Sequence, residues 1–373
     1  PASTSVATTQ YGRPRLTINL QIMEVGFIGL GNMGLPMCKR LLATRAQVKV
    51  FDISSQCIKS AVENGASSTN SAAECASQVD VLFTSLPKPE NVIEVMIKNL
   101  ALQQLKPGAI WVDLTTNRKE LVIELASKAP TGVRVLDSPV TGAVDGARNG
   151  KLTLFVGGDK ASFDEIAPLL SNLGKAIHCG SLGSGNVVKL VTNQLWFIAA
   201  AAIGEGFATG IANGVELGTL WGAIKDSVGD SFVARHDAPS IFAGHYDPSF
   251  SLELCLKDLG LISELGQKVG AELPMTAAAV SAFTVARDRY GASAAELHVA
   301  KRIEDGLRHM ILAISACPTT IAEILSLAEK IEKDEIRVEE VVDGLADLEM
   351  KEAIVEDVAE DEEEEAEDKK REE

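Results

Sequence analysis

The sequence predicts an α/β protein: a doubly wound sheet domain, then an all-helical domain, then a C-terminal helical and acidic extension. Three observations carry this. Apolar runs of strand length alternate with helical stretches as far as residue 185. Strand signals then stop and long helical patterns follow. The excess acidic charge is confined to the end of the chain.

The first apolar run, residues 24–28, leads into Gly29-Leu30-Gly31-Asn32-Met33-Gly34, and Met37, Leu41 and Leu42 then keep a helical spacing. A second run over 48–51 ends in Asp52. Further strands are expected over 79–86, 109–114, 133–136 and 152–156, with helices over 91–105 and 118–129 between them. This alternation implies a parallel sheet covered by helices on both faces. Residues 186–213 read as one long helix apolar on all sides, followed by helices over 217–228, 252–269 and 274–289. A helix apolar all round must be buried, and a partner subunit would bury it, so a homodimer or homotetramer is expected. The divisions expected are a disordered leader over 1–22, a dinucleotide-binding domain over 23–185, an all-α substrate and dimerisation domain over 186–291, a helical extension over 292–349, and an acidic disordered tail over 350–373.

Of the 373 residues 46% are hydrophobic, and the formal net charge is −17. Residues 332–373 hold 21 acidic and 6 basic side chains, which leaves the rest of the chain near neutrality. The body has no basic stripe of the kind nucleic-acid binding needs. The six cysteines, Cys38, Cys57, Cys75, Cys179, Cys255 and Cys317, form no C-x-x-C pair and have no histidines at zinc spacing. No metal is expected, and the thiols fit a reduced cytoplasmic protein. The longest apolar run, 195–215, is interrupted by Glu205 and glycines, which fits a buried helix and not a membrane span. Residues 1–22, rich in Ser and Thr with Arg13 and Arg15 and no acid, faintly resemble a transit peptide.

The glycine motif gains meaning from its place between a strand and a helix, with an acid closing the next strand, which makes it a Rossmann-type fingerprint. Gly29 permits the tight turn, Gly31 lets the backbone approach a pyrophosphate, and Gly34 allows close helix–strand packing. The helix N-terminus offers free N–H groups to the phosphates. Leu30, Asn32 and Met33 complete the loop. Asp52 stands where a carboxylate accepts from ribose hydroxyls and repels a 2′-phosphate, so NAD is favoured over NADP.

Three further segments make the reading specific: Asp137-Ser138-Pro139-Val140-Thr141-Gly142, then Gly180-Ser181-Leu182-Gly183-Ser184-Gly185 running on to Lys189 and Asn193, and Lys257-Asp258-Leu259. With the glycine loop, these resemble the β-hydroxyacid dehydrogenase family over about residues 23–291. The resemblance implies reversible, NAD-linked interconversion of a short 3-hydroxy acid and its semialdehyde, as in 3-hydroxyisobutyrate dehydrogenases. Tartronate, glyoxylate or succinic semialdehyde reduction is the alternative. It assigns Lys189 as general acid/base and Asn193, on the same helix face at i+4, as a substrate holder. Ser138, Thr141 and Gly142 would cradle the carboxylate, and Lys257 would close the pocket. Leu86, Pro87, Thr115 and Thr116 would join the glycine loop, Asp52 and Lys257 around the cofactor.

The chemistry asks for such parts independently. Hydride arrival on a carbonyl builds negative charge on oxygen, which needs a placed proton donor. A lysine among Val187, Val188, Leu190 and Val191 has its pKa drawn down by burial. The family's usual Ser-Gly-Gly reads Thr141-Gly142-Ala143 here, which narrows the pocket floor. Lys189 also separates the chain from the related imine reductases. Trp196, Arg148, Arg235 and His236 are candidates for pocket lining or for a second acidic group on the substrate, and equally for core or surface roles.

Beyond Gly291 that likeness is expected to fail. The stretch Ala300-Lys301-Arg302-Ile303-Glu304-Asp305-Gly306, a capping box at Thr320 and Glu323, and the acidic run resemble part of a bacterial housekeeping sigma factor. RNA polymerase core would be a partner only if this tail functions. A reading of another class is a non-catalytic nucleotide-binding protein that recruits a partner through the tail, which turnover would exclude.

Overall fold

The computed structural model describes residues 23–44, 46–246 and 250–306. The expected leader, the capping box at Thr320 and the acidic tail lie outside the described residues.

Nine strands form one sheet: β1 Glu24–Ile28, β2 Gln47–Phe51, β3 Ser67–Ser68, β4 Val81–Thr84, β5 Ile110–Asp113, β6 Arg134–Asp137, β7 Val140–Thr141, β8 Leu152–Gly157 and β9 Gly174–Gly180. The spatial order runs β3-β2-β1-β4-β5-β6-β8, with β7 also paired to β8 and β9 on its far side. From β3 to β6 every pairing is parallel. The order reverses between β1 and β4, and there the loops after the strands' carboxyl ends part to leave a crevice.

The expectation of a wholly parallel sheet is corrected at its far end. β8 runs antiparallel to both β6 and β7, in a single register through Asp137↔Gly157, Val140↔Leu154 and Thr141↔Thr153. A parallel return needs a crossover of roughly a dozen or more residues. The connector 142–151 is shorter and reverses the chain through the helix Ala143–Asn149 and the left-handed Gly150. Strand β9 was not expected. It is a half-exposed edge strand, so its residues lack the apolar run that marks a buried one. The helix expected over 91–105 is instead an α-helical turn Pro89–Ile93, a π-turn Glu94–Lys98 and a 3₁₀ turn Leu102–Gln104. Leu100, at φ +60°, stops it from continuing.

Apolar side chains fill both faces of the sheet, with Phe27, Phe83 and Leu154 on one and Trp111, Met96 and Leu102 on the other. The helical domain is built on the helix Ser184–Ala212, with Phe197 and Phe207 buried against Phe283 and Phe242. Leu252–Lys268, Pro274–Tyr290 and His298–Gly306 pack on this spine. In His298–Gly306 both Val299 and Ala300 are fully buried, and a Cβ on Gly204 would stand 3.1 Å from Ala300 Cα. The boundary expected at residue 291 is therefore corrected: the domain's packing runs to the end of the described chain, through the Ala300–Gly306 stretch read as foreign.

Ser184–Ala212 is long and apolar enough to cross a membrane, yet it carries the buried Lys189 and forms the core of the helical domain. Its outward face exposes Val191 and Leu195, 65% in the case of Leu195. Among the described residues, five cysteines are free thiols and no cluster of metal-ligand type occurs.

Candidate active site

The glycine loop follows β1, and each glycine answers a different steric demand. Gly29 lies at φ +94°, and a Cβ there would meet Ser85 O at 2.2 Å. A Cβ on Gly34 would stand 1.9 Å from Gly29 O. A Cβ on Gly31 would meet nothing within 4 Å among the described residues, which leaves that side of its backbone open to a large anionic group. The helix Gly34–Leu42 has no side-chain cap; Leu35 N–H is taken by Gly31 O (3.1 Å) and Pro36 has no N–H, so it is the very start of the helix, at Gly34, that faces the opening. Asn32 is exposed and Met33 half-buried at this opening.

Asp52, at the end of β2, accepts from Leu30 N–H (2.5 Å) and Ser54 N–H (2.7 Å). Its carboxylate is thereby fixed beside the loop. Leu30 itself is buried, and its N–H is engaged by Asp52, so it shapes the loop from behind. These features fit a dinucleotide, with the pyrophosphate over Gly31 and the adenosine ribose towards Asp52.

The helix Ser184–Ala212 packs against β8 and β6 and meets the loop after β5 at Asn117. Lys189 is buried, and desolvation of its ammonium brings its pKa down to about 8. Asp258 acts against that shift and Lys257 with it. One turn on, Asn193 donates from Nδ2 to Asp258 Oδ2 at 2.8 Å. The other oxygen of Asp258 lies 2.8 Å from Lys257 Nζ, which also reaches Pro87 O at 3.4 Å in the loop after β4. A helix from the second domain thus reaches across to the cofactor side of the first.

The loops after the strands continue the enclosure. Leu86 N–H donates to Thr115 Oγ1 (3.1 Å), and Thr115 N–H to the buried Asp113 (3.1 Å). With Thr115 Oγ1 already engaged, the half-buried Thr116 is the freer of the two hydroxyls. Asp113 also accepts from Thr84 Oγ1 and Asn117 Nδ2, and its burial pushes its pKa up to about 6. Ser138, which follows β6, is fully buried, and its Oγ has no hydrogen-bond partner among the described residues. Such a hydroxyl is costly unless a ligand satisfies it. Thr141 is held by its backbone pairing with Thr153, and Gly142 at φ +122° turns the chain into the next helix. The departure at Ala143 is visible as backbone: an L-residue at φ +53°, where glycine would be relaxed.

The other candidates fall elsewhere. Trp196 donates Nε1 to Asp237 and packs on Phe197 and Phe250. Arg148 pairs with Asp145 and Arg235 with Asp230, both at the surface, and the exposed His236 stacks on Phe232. Sequence reasoning missed Asp258, Asn186 and Asn117 as parts of the site. Asp258 was legible only as the neighbour of Lys257, and nothing in sequence spacing pairs Asn117 with Asn186.

The arrangement combines a pyrophosphate loop, an unsatisfied buried hydroxyl, and a desolvated amine able to give or take a proton near neutrality. Comparison with known proteins agrees with it. Residues 24–183 match a family model described as the NAD binding domain of 6-phosphogluconate dehydrogenase. Residues 183–303 match one described as NAD-binding of NADP-dependent 3-hydroxyisobutyrate dehydrogenase. The second match, too, runs past residue 291. The chain is 34% identical over 266 residues to the 2-(hydroxymethyl)glutarate dehydrogenase of Eubacterium barkeri, spanning 70% of this chain and 88% of that one. It is 33% identical over 272 residues to the 3-hydroxyisobutyrate dehydrogenase of Pseudomonas aeruginosa, spanning 70% and 91%. Among solved structures it superposes on the 3-hydroxyisobutyrate dehydrogenase of Mycobacterium tuberculosis with L-serine, with a TM-score of 0.71 and 28% identity over 76% of this chain and 99% of that one. Residues 317–373 match a separate model, the non-essential region of sigma-70, so the sigma-like portion begins later than the sequence suggested.

Proposed function

The chain belongs to the β-hydroxyacid dehydrogenase family and is an NAD(P)-dependent hydroxyacid dehydrogenase; on that premise we propose that it interconverts a short 3-hydroxy acid and its semialdehyde with NAD(H). The observation that carries the reading is Lys189, a buried amine with its pKa near 8.

When bound, the nicotinamide supplies or accepts the hydride. Lys189 Nζ gives a proton to the carbonyl oxygen in reduction, and in oxidation removes one from the hydroxyl. Asn193, oriented by Asp258, holds that same oxygen in line with Lys189. Ser138 Oγ, with Thr141 and Gly142, receives the substrate carboxylate, which supplies the partner Ser138 lacks. Lys257, spanning Asp258 and Pro87, closes the site and excludes water. Asp52 supports NAD over NADP, since a 2′-phosphate would meet its charge.

The exposed apolar face around Val191 and Leu195 supports a homodimer or homotetramer built on the long helix. The free thiols support a cytoplasmic setting. The sigma-like residues 317–373 lie outside the two matched dehydrogenase segments, 24–183 and 183–303. The deciding experiment is steady-state kinetics on 3-hydroxyisobutyrate, 2-(hydroxymethyl)glutarate, L-serine, glycerate and 4-hydroxybutyrate, each with NAD and NADP. Turnover of none of them would overturn the substrate class, and a clear preference for NADP would overturn the role of Asp52.

A further inference from the structure

Asp137 takes no part in the proton transfer above, yet it is fully buried at the start of the helix that carries Lys189. Its Oδ1 accepts from Gly183 N–H at 2.6 Å. Its Oδ2 accepts from Asn186 N–H at 2.7 Å and from Asn186 Nδ2 at 3.1 Å. The amide oxygen of Asn186 faces the other way and accepts from Asn117 N–H at 2.6 Å. Asn117 in turn donates from Nδ2 to Asp113, the carboxylate that holds Thr115 N–H.

This chain has a fixed polarity. A carboxylate stands at each end, and carboxylates only accept. The NH₂ of Asn186 must therefore point to Asp137, which leaves its oxygen, and nothing else, for Asn117 N–H. The amide at position 117 is locked likewise, since its oxygen accepts from Arg118 N–H.

We propose that Asp137 is a positioning residue for the reaction: its carboxylate orients the Asn186 amide, which joins the helix of Lys189 to the loop of Thr115 and Thr116. The proton donor and the cofactor-side hydroxyls are thereby held as one rigid unit. The inference rests on the assignment of Lys189 as acid/base.

Asp137→Asn tests the polarity with little change of shape. One end of the new amide must be NH₂, which would meet either the two N–H donors of Asn186 or, if flipped, Gly183 N–H at the same helix start, and a flip of Asn186 would only move the clash to Asn117 N–H. The exchanged pair D137N/N186D restores a donor facing an acceptor between the two side chains, and an acceptor for Asn117 N–H, with the backbone N–H of residue 186 the one donor still opposed. On the best substrate of the panel, Asp137→Asn is expected to lower kcat about 10- to 100-fold, with KM for NAD within about twofold. The exchanged pair should recover about tenfold of that loss, and Asn186→Ala should reproduce it even if Asp137→Asn fails to fold. A purely structural Asp137 would lower Tm and leave kcat per folded molecule unchanged. That result, or an exchanged pair no better than the product of the single losses, would overturn the proposal. Lys189→Met serves as the control: wild-type turnover there defeats the functional reading itself, whereas an inactive Lys189→Met beside a fully active Asn186→Ala defeats only the positioning role.

Discussion

Asn193 Nδ2 and Asp258 Oδ2 stand 2.8 Å apart, which ties the helix of Lys189 to the helix Leu252–Lys268 inside the site. The bond fixes the asparagine amide and brings a carboxylate into the surroundings of the buried amine. Asp258 is 1% exposed, so little solvent screens its influence on Lys189.

Removing the charge of Asp258 should shift the working pH. The Lys189 pKa lies at about 8, with Asp258 holding it up and Lys257 pressing it down. In oxidation the neutral amine is the base, so kcat rises as pH climbs through that value. Asp258→Asn should move this limb to lower pH, and Lys257→Met should move it to higher pH. In reduction the ammonium is the acid, so the falling limb should move in the same two directions. Profiles of kcat against pH in both directions check this, and coincident limbs in all three proteins would exclude it.

Lys189→Met should lower kcat by about 10²–10⁴-fold while NADH binding, followed by its fluorescence, survives. The same change should alter stability. With the folded-state pKa near 8 against an ordinary 10.5, the unfolded chain binds more protons between those values. Stability from this group therefore rises across that window, by about 3 kcal/mol, and is at its lowest below pH 8. The methionine variant should lack that rise in denaturant titrations at pH 7 and pH 10.

Two glycines of the loop should separate folding from binding. Gly31→Ala has room for its methyl, so Tm should hold while KM for the cofactor rises at least about tenfold, the new group blocking the pyrophosphate. Gly34→Ala places a carbon against Gly29 O and should cost about 2–4 kcal/mol of stability. Thermal melts beside cofactor titrations of both variants decide it.

Ala143→Gly should relieve the left-handed backbone at φ +53°. The gain is expected near 0.5–1 kcal/mol, as αL strain outweighs the glycine entropy by about that amount. A higher urea midpoint with an unchanged slope would register it.

Truncation should place the end of the enzyme. Removal of residues 317–373 is expected to leave kcat and Tm unchanged, whereas truncation after residue 291 strips Val299 and Ala300 from the long helix and should abolish folding. Expression, melting and turnover of the two truncated chains make the comparison.

The local periodicities were enough for most of the architecture. Each glycine of the loop has its own steric reason, so the cofactor cleft was legible from Gly29 to Asp52. The helix of Lys189 was legible because the mostly apolar stretch over 186–213 is too long for a strand and apolar on all sides. The apolar setting of Lys189 also announced its lowered pKa in advance, because burial acts through near neighbours.

What tertiary structure decided is wherever a partner comes from far along the chain. The reversal of β8 depends on connector length and not on strand character, so its apolar run carried no sign of direction. The Ala300–Gly306 stretch looks polar and foreign as text, yet its helix shows one buried side to a spine that lies about a hundred residues earlier. Asp258 meets Asn193 only once the helices of the second domain pack together, and Asn117 meets Asn186 only where the long helix joins the sheet domain. Short polar side chains carry no periodic signal. Their roles follow from which donors face which acceptors, and that is a property of the folded chain alone.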